Sequence, residues 1–326
     1  MKTALALGLC IVAAAAFAVC AGNIWATPLD VLRAMAGDES LRGRLLFEWR
    51  IPRVLAAGLV GALLGLGGGV FQGVFRNPLA EPYLLGSAGG ASIGAAVALL
   101  VPLGIPSFVA LAGLSFVGAW AATWSVIAVA RLAGTIDAVG LLLAGVAVSA
   151  VLGAVRSFLM LALSDETVNL QVVLSWTLGG IQTPSWQGLA VLALLSALGL
   201  VATLKLATGL DLLGLGEEQA RAFGLPVDRF LNIAVVVAAL VVAIAVAWGG
   251  LVAFVGLIGP HLARWLVGPR HRVLLPASAA IGAAIVLVCD GLARSLLPPA
   301  EVPLGMITAI VGGPFFLILL GRRLRA

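Results

Sequence analysis

Apolar residues occur in long stretches separated by short polar ones, and the stretches have the length of a bilayer crossing. About 20 apolar residues in a helix span roughly 30 Å of hydrocarbon, and a helix pairs its own backbone donors and acceptors there. Such runs fall at 4–21, 54–75, 84–103, 108–130, 138–163, 189–206, 231–247, 251–267, 273–292 and 304–320. They predict an all-α polytopic membrane protein with ten transmembrane helices. No linker, charge block or low-complexity tail divides the chain, which reads as one transmembrane domain over 1–326. The longest polar segments are 27–50, 164–188 and 207–229. The first run also fits a cleaved signal peptide, because Lys2 precedes it and small residues follow. Its length favours a span, and removing it would leave nine helices with termini on opposite faces.

Composition supports lipid as the solvent. The chain is 62% hydrophobic and 10% charged, with mean hydropathy +1.17, against about 25% charged for a soluble domain. A net charge of +5 does not point to nucleic acid, because the basic residues are scattered singly between apolar runs. With ten crossings both termini share a face. Lys2, Arg76, Arg131, Lys205, Arg221, Arg229, Arg264, Arg270, Arg272, Arg322, Arg323 and Arg325 lie on that face, which the positive-inside rule makes cytoplasmic. The other face holds Arg33, Arg42, Arg44, Arg50, Arg53 and Arg294. Five of these six crowd into the first external segment, which suggests an acidic partner. Many of the 41 glycines sit inside the runs, where small residues let membrane helices approach; Gly67, Gly68 and Gly69 are also expected to bend or loosen their helix. Cys10, Cys20 and Cys289 have no metal or redox spacing and read as packing residues. His261 and His271 are too few and too separate for a ligand set.

The chain has no G-x-x-x-x-G-K-[ST], and its only lysines, Lys2 and Lys205, lie outside any glycine loop. It is therefore not its own P-loop ATPase. HExxH, G-x-S-x-G and a clustered acid pair are also missing, which leaves transport ahead of intramembrane catalysis. Residues 210–229 read as a short amphipathic helix, with Asp211 near its start, Glu217, Glu218 and Arg221 on a polar side, and a Gly224-Leu225-Pro226 stop. A plain surface loop and a force-transmitting helix both fit that pattern.

Arg50-Ile51-Pro52-Arg53, then Arg76-Asn77-Pro78-Leu79-Ala80-Glu81-Pro82 with Leu85-Gly86, resembles the permeases of the iron-siderophore, haem and vitamin B12 importers, the type II ABC importers. Further matches are 142–147 (LLAGVA), 254–264 (FVGLIGPHLAR), 301–305 (EVPLG) and 312–314 (GGP). The resemblance implies a type II ABC importer permease fold, and a homodimer with its path on the two-fold axis. It further implies two cytoplasmic ATPase subunits and a periplasmic or lipid-anchored binding protein, in a bacterial inner membrane. It implies no cofactor on this chain, with ATP and Mg used by the ATPase.

Carried over by residue, Arg50, Arg53 and Arg294 match outer-face arginines that meet acids of the binding protein; snorkelling to head groups is the alternative. Asn77 and Leu79 match the cytoplasmic gate, with a second constriction expected at 148–153, including Gly153; a plain Asn-Pro turn is the alternative. Glu217, Glu218, Arg221, Gly224 and Pro226, within a coupling segment at about 207–229, match the helix that docks on the ATPase. Arg156 lies inside the fifth run, where a charge is expensive and marks function by default. It either lines the cavity and attracts an anionic ferric chelate or haem, or snorkels, or pairs with Asp165 or Asp290. Asp290 and Arg294 have the spacing of a local helical pair and read as structural.

These residues predict alternating-access import of an iron chelate, with cobalamin as the other cargo. A secondary transporter would need acids buried at mid-membrane, and the runs have almost none apart from Asp290. A membrane scaffold would need neither the Asn77 motif nor the 210–229 segment.

Overall fold

The computed structural model describes residues 2–81, 83, 86–104, 107–134, 138–163 and 177–323, and each of the ten apolar runs carries a helix. α1 (Lys2–Cys20) is followed by two short helices, α2 (Pro28–Met35) and α3 (Leu41–Leu45). A π-helical turn, Leu46–Arg50, then leads into α4 (Ile51–Val74). Next come α5 (Ser87–Leu100), α6 (Ser107–Leu132), α7 (Ala138–Leu163) and α8 (Trp186–Leu213). The chain ends with α9 (Glu217–Ala222), α10 (Val227–Gly249), α11 (Val255–Val267), α12 (His271–Ala293) and α13 (Leu304–Arg323). Helix is the only regular structure among the described residues.

Among the described residues, seven helices are long and apolar enough to cross a membrane, and α5 and α13 are shorter apolar helices. α11 has 13 residues, so it rises about 20 Å and cannot span alone. The run predicted at 251–267 is therefore a half-helix. Its first four residues form a break, where Gly250 (φ +63°) and Phe254 (φ +67°) turn the backbone out of helical geometry.

α4 is the central post. It packs along α12, α10, α11 and α8, and 78% of its apolar window is buried. Gly61, Gly65 and Gly68 share one side of α4 and leave their Cβ positions to the backbone of Gly282, Ser278 and Gly256. Backbones that close gain dispersion contact that larger side chains would forbid. α4 runs unbroken through Gly67–Gly69, and Cβ atoms there would meet Val242, Gly256 and Leu275, so these glycines serve close packing. α5 and α6 form a second close pair, with Gly90 and Gly118 facing each other's backbone. α7 packs on α5 and α6, yet none of its apolar window is buried inside the chain. That surface faces lipid or another subunit. Cys10 is exposed on α1 and Cys289 is buried in α12, so only the latter fits the expected packing role closely.

Candidate functional site

Beyond the C-terminal end of α1, α2 begins with a capping box. Thr27 Oγ1 accepts from the Asp30 backbone N–H, and Asp30 accepts from Thr27 in return. Arg42 then bonds Asp30 at 3.0 Å and the Trp25 carbonyl at 2.9 Å, fixing the external segment against the end of α1. The π turn that follows sets Arg50 and Arg53 at the entrance to α4.

Beneath this segment lies a buried ion network. Asp290, fully buried near the end of α12, accepts from Arg53 Nε at 3.1 Å and from Arg294 Nε at 2.9 Å. The other nitrogens of Arg294 bond the Ala21 and Ala18 carbonyls, both at 2.7 Å. Arg294 therefore satisfies orphan carbonyls at the C-terminus of α1, and its side chain is 6% exposed. This corrects its expected place on the docking surface: the guanidinium is used up inside the chain, while the expected Asp290–Arg294 pair is present. Arg50 bonds the Val19 and Ile24 carbonyls. Arg53, 17% exposed, also makes a two-pronged pair with Glu301 at 3.1 and 2.9 Å. A cavity of about 260 Å³ opens above these groups, lined by Asn23, Trp49, Arg50, Arg53 and Glu301, with the largely buried Arg294 at its base. Glu301 was visible in sequence only as part of a motif; its pairing spans 248 positions.

On the opposite side, Asn77 Oδ1 accepts from the Leu79 backbone N–H at 3.0 Å, an Asx turn that sets the direction of the chain after α4. Arg76 has φ +48° and lies 3.6 Å from Glu217. Glu217 is the first residue of α9. The loop after α4 and the segment between α8 and α10 thus touch through opposite charges, a link not read from sequence. Gly86, which opens α5, faces Val148 and Ser149 of α7, so the segment expected to form a constriction packs at the start of α5. Gly153 lies further along α7 with open space at its Cβ position.

The amphipathic helix expected over 210–229 is shorter. Residues 210–213 complete α8, Gly214 and Gly216 (φ +115°) interrupt the chain, and α9 covers six residues. Gly224 (φ +86°) ends it with an N–H to the Arg221 carbonyl, and Pro226 caps α10. Arg221 is held by both carboxylate oxygens of Asp228 at 2.9 and 3.1 Å. Glu218, Leu215 and Phe223 are exposed around α9. His271 joins α12 to the end of α8 through Asp211, 2.7 Å from its Nδ1, and His261 packs against Trp265 and Phe315.

Arg156 lies seven residues before the end of α7, and its Nε is shielded without a hydrogen-bond partner among the described residues. Asp290 is not its partner, being occupied by Arg53 and Arg294. The alternative partner Asp165 lies outside the described residues.

A bundle of apolar helices with a half-helix packed on its central post, a charged cavity at one end and a short helix at the other is the anatomy of a transporter subunit. The sequence profile of the FecCD transport family matches residues 9–322. The chain belongs to that family. It is 39% identical to the cobalamin import system permease protein BtuC of Halobacterium salinarum, over 84% of this chain and 72% of that one. It is 34% identical to the hemin transport system permease protein HmuU of Yersinia pestis, over 84% of this chain and 82% of that one. Among solved structures, an inward-facing metal-chelate type ABC transporter superposes with TM-score 0.83 at 31% identity, covering 98% of both chains. This permease is thus the membrane subunit of an ABC importer in the iron chelate, haem and vitamin B12 group. It is not an enzyme; the ATPase is a separate subunit.

Proposed function

We propose that this permease carries an iron chelate, a ferric siderophore or haem, across the bacterial plasma membrane by alternating access. Two copies form the path, two ATPase subunits bind beneath, and a binding protein delivers cargo from above. Both termini lie in the cytoplasm. No cofactor is needed on this chain, because ATP and Mg act on the ATPase.

Arg156 carries the iron-chelate reading. A guanidinium on a helix whose apolar face has no cover within the subunit must find an anion, water or a head group, since an unpaired charge in lipid is expensive. At the mouth of a path between two copies it would attract the carboxylates of a ferric chelate or haem. The likeness to a cobalamin permease at 39% identity favours cobalamin as the second reading.

The other roles follow from accessibility. Arg50 and Arg53, at the outer cavity, receive acidic side chains of the binding protein, and opposite charges there set docking rate and orientation more than affinity. Arg294 supports Arg53 from below through Asp290, which both arginines bond. Asn77 and Leu79 form the inner gate, with Gly153 and its neighbours on α7 as the second constriction. Glu217, Glu218, Arg221, Gly224 and Pro226 shape the α9 knob that seats on the ATPase.

The test is uptake of ferric hydroxamate, haemin and cyanocobalamin into vesicles holding the whole importer, with Arg156→Ala in parallel. An iron ligand taken up at least tenfold less by the mutant supports the reading. Uptake of cyanocobalamin alone, unaffected by the mutation, moves the assignment to cobalamin.

A further inference from the structure

The break between α10 and α11 leaves backbone groups outside any helix, and buried backbone groups must find partners. Two side chains from the loop after α4 supply them. Tyr83 Oη accepts from the Val252 N–H at 2.9 Å and donates to the Val252 carbonyl at 3.0 Å. Glu81 Oε1 accepts from the Phe254 N–H at 2.7 Å. The two pairings run in opposite order, 81 with 254 and 83 with 252, each two residues apart, so the loop and the break lie side by side as a two-rung ladder. Glu81 also places a carboxylate at the N-terminus of α11, where the helix field favours negative charge.

Phe254 holds φ +67°, a conformation unfavourable for a residue with a Cβ. Such outliers persist only where their surroundings over-determine them, and they cluster at switch regions. The Phe254 surroundings come from three directions. Glu81 holds its N–H, α11 starts at the next residue, and Gly312 of α13 leaves its Cβ position to the Phe254 side chain.

The far side of the break belongs to the outer half of the subunit. The Leu251 carbonyl lies against Gly179 and Gly305, the latter in the first turn of α13. The Leu304 N–H donates to the Gly179 carbonyl at 2.9 Å, and Gly180 and Gln182 donate to the Gly249 and Trp248 carbonyls at 3.1 and 2.9 Å. One short break therefore touches the gate loop on one side and the outer segment with α13 on the other.

We propose that Glu81 and Tyr83 are positioning residues of the inner gate: they fasten the loop carrying Asn77 and Leu79 to the α10–α11 break, so that the gate moves with that break and with α13. The proposal rests on the gate reading above. Asn77 begins its Asx turn only four residues before Glu81, too short a tether for Leu79 to move far while the rungs hold. Rearranging the break moves Leu79, and releasing the rungs leaves the gate to α4 and α5 alone. The chain has a single tyrosine, and its hydroxyl is committed to this junction.

The test places a reporter on the gate of the complete importer with its ATPase. Leu79→Cys, with Cys10, Cys20 and Cys289 replaced by alanine, is labelled with a membrane-impermeant maleimide, with and without ATP and vanadate. ATP hydrolysis is measured on the same preparations. ATP is expected to change the labelling rate severalfold. Glu81→Ala and Tyr83→Phe should cut that change at least fivefold while hydrolysis continues. Glu81→Gln, which keeps the acceptor oxygen, should restore most of it. Tyr83→Phe removes one oxygen atom and guards against a folding defect in Glu81→Ala. A full ATP-dependent change in both variants overturns the positioning role while leaving the gate itself in place. Labelling indifferent to ATP with Glu81 and Tyr83 intact overturns the gate reading, and the proposal with it.

Discussion

Replacing Asp290 by alanine removes an anion shared by two arginines. Its carboxylate is fully buried and accepts from Arg53 and Arg294, and the Arg294 side chain is itself almost completely buried. Breaking a buried pair by deleting one partner costs about 3–5 kcal/mol, because a desolvated charge is left behind. Glu301 still compensates Arg53, and Arg294 keeps two carbonyl bonds, so the lower end applies. The expected loss is about 3 kcal/mol, roughly a hundredfold in the folded-to-unfolded ratio. Replacing both partners, Asp290→Leu with Arg294→Met, removes the charge along with its counter-ion and should cost less than Asp290→Ala alone. Denaturant titration of the purified protein in mixed micelles measures both, and a double-mutant cycle isolates the coupling. An Asp290→Ala loss below 0.5 kcal/mol, on the scale of an ordinary surface substitution, would refute the reasoning and place Arg294 in water or at a head group.

Gly68→Ala should destabilise by about 1–3 kcal/mol through overpacking, since its new methyl group meets the Gly256 backbone, whereas Gly113→Ala, with open space at its Cβ, should be neutral or slightly stabilising; thermal unfolding in detergent separates them. The Thr27 hydroxyl first, and the Thr27 backbone N–H second, hold the Asp30 carboxyl below its ordinary range. The stabilisation of α2 is therefore present above the ordinary aspartate value and lost as pH falls through the depressed one. A spin label on Leu32→Cys should gain mobility over that acidic window, and Thr27→Ala should abolish the transition. Phe223→Ala and Leu215→Ala should leave stability unchanged. Each should weaken ATPase retention about tenfold or more, on the basis of about 1.5–3 kcal/mol for burying such a side chain, as read by co-purification against salt and detergent.

The helices were legible because an apolar run of bilayer length has few alternatives. Their ends were less so: α8 begins three residues before its predicted run and ends seven after it, since apolarity reports the lipid layer while helix continues past it. The half-helix α11 looked like a full span because the residues of its break, Leu251 to Phe254, are as apolar as those of a helix. Only the Gly249-Gly250 pair before it hinted at a stop. The arginines were read as a surface set because sequence displays a charge without its partner, and Arg53 lies 237 positions from Asp290. Arg76 and Glu217 were each singled out, but 141 residues separate them and hid their contact. Tyr83 left a signal that went unused. A lone tyrosine beside apolar spans must bond its hydroxyl somewhere.

The central claim is that this chain forms a path opened by a separate ATPase. Its most direct test is ferric hydroxamate, haemin and cyanocobalamin uptake by vesicles containing the permease with ATPase and binding protein, compared with vesicles lacking either one. The account predicts uptake of one cargo only with all components and ATP on the cytoplasmic side. Uptake without the ATPase, or driven by an imposed proton or sodium gradient, would contradict it.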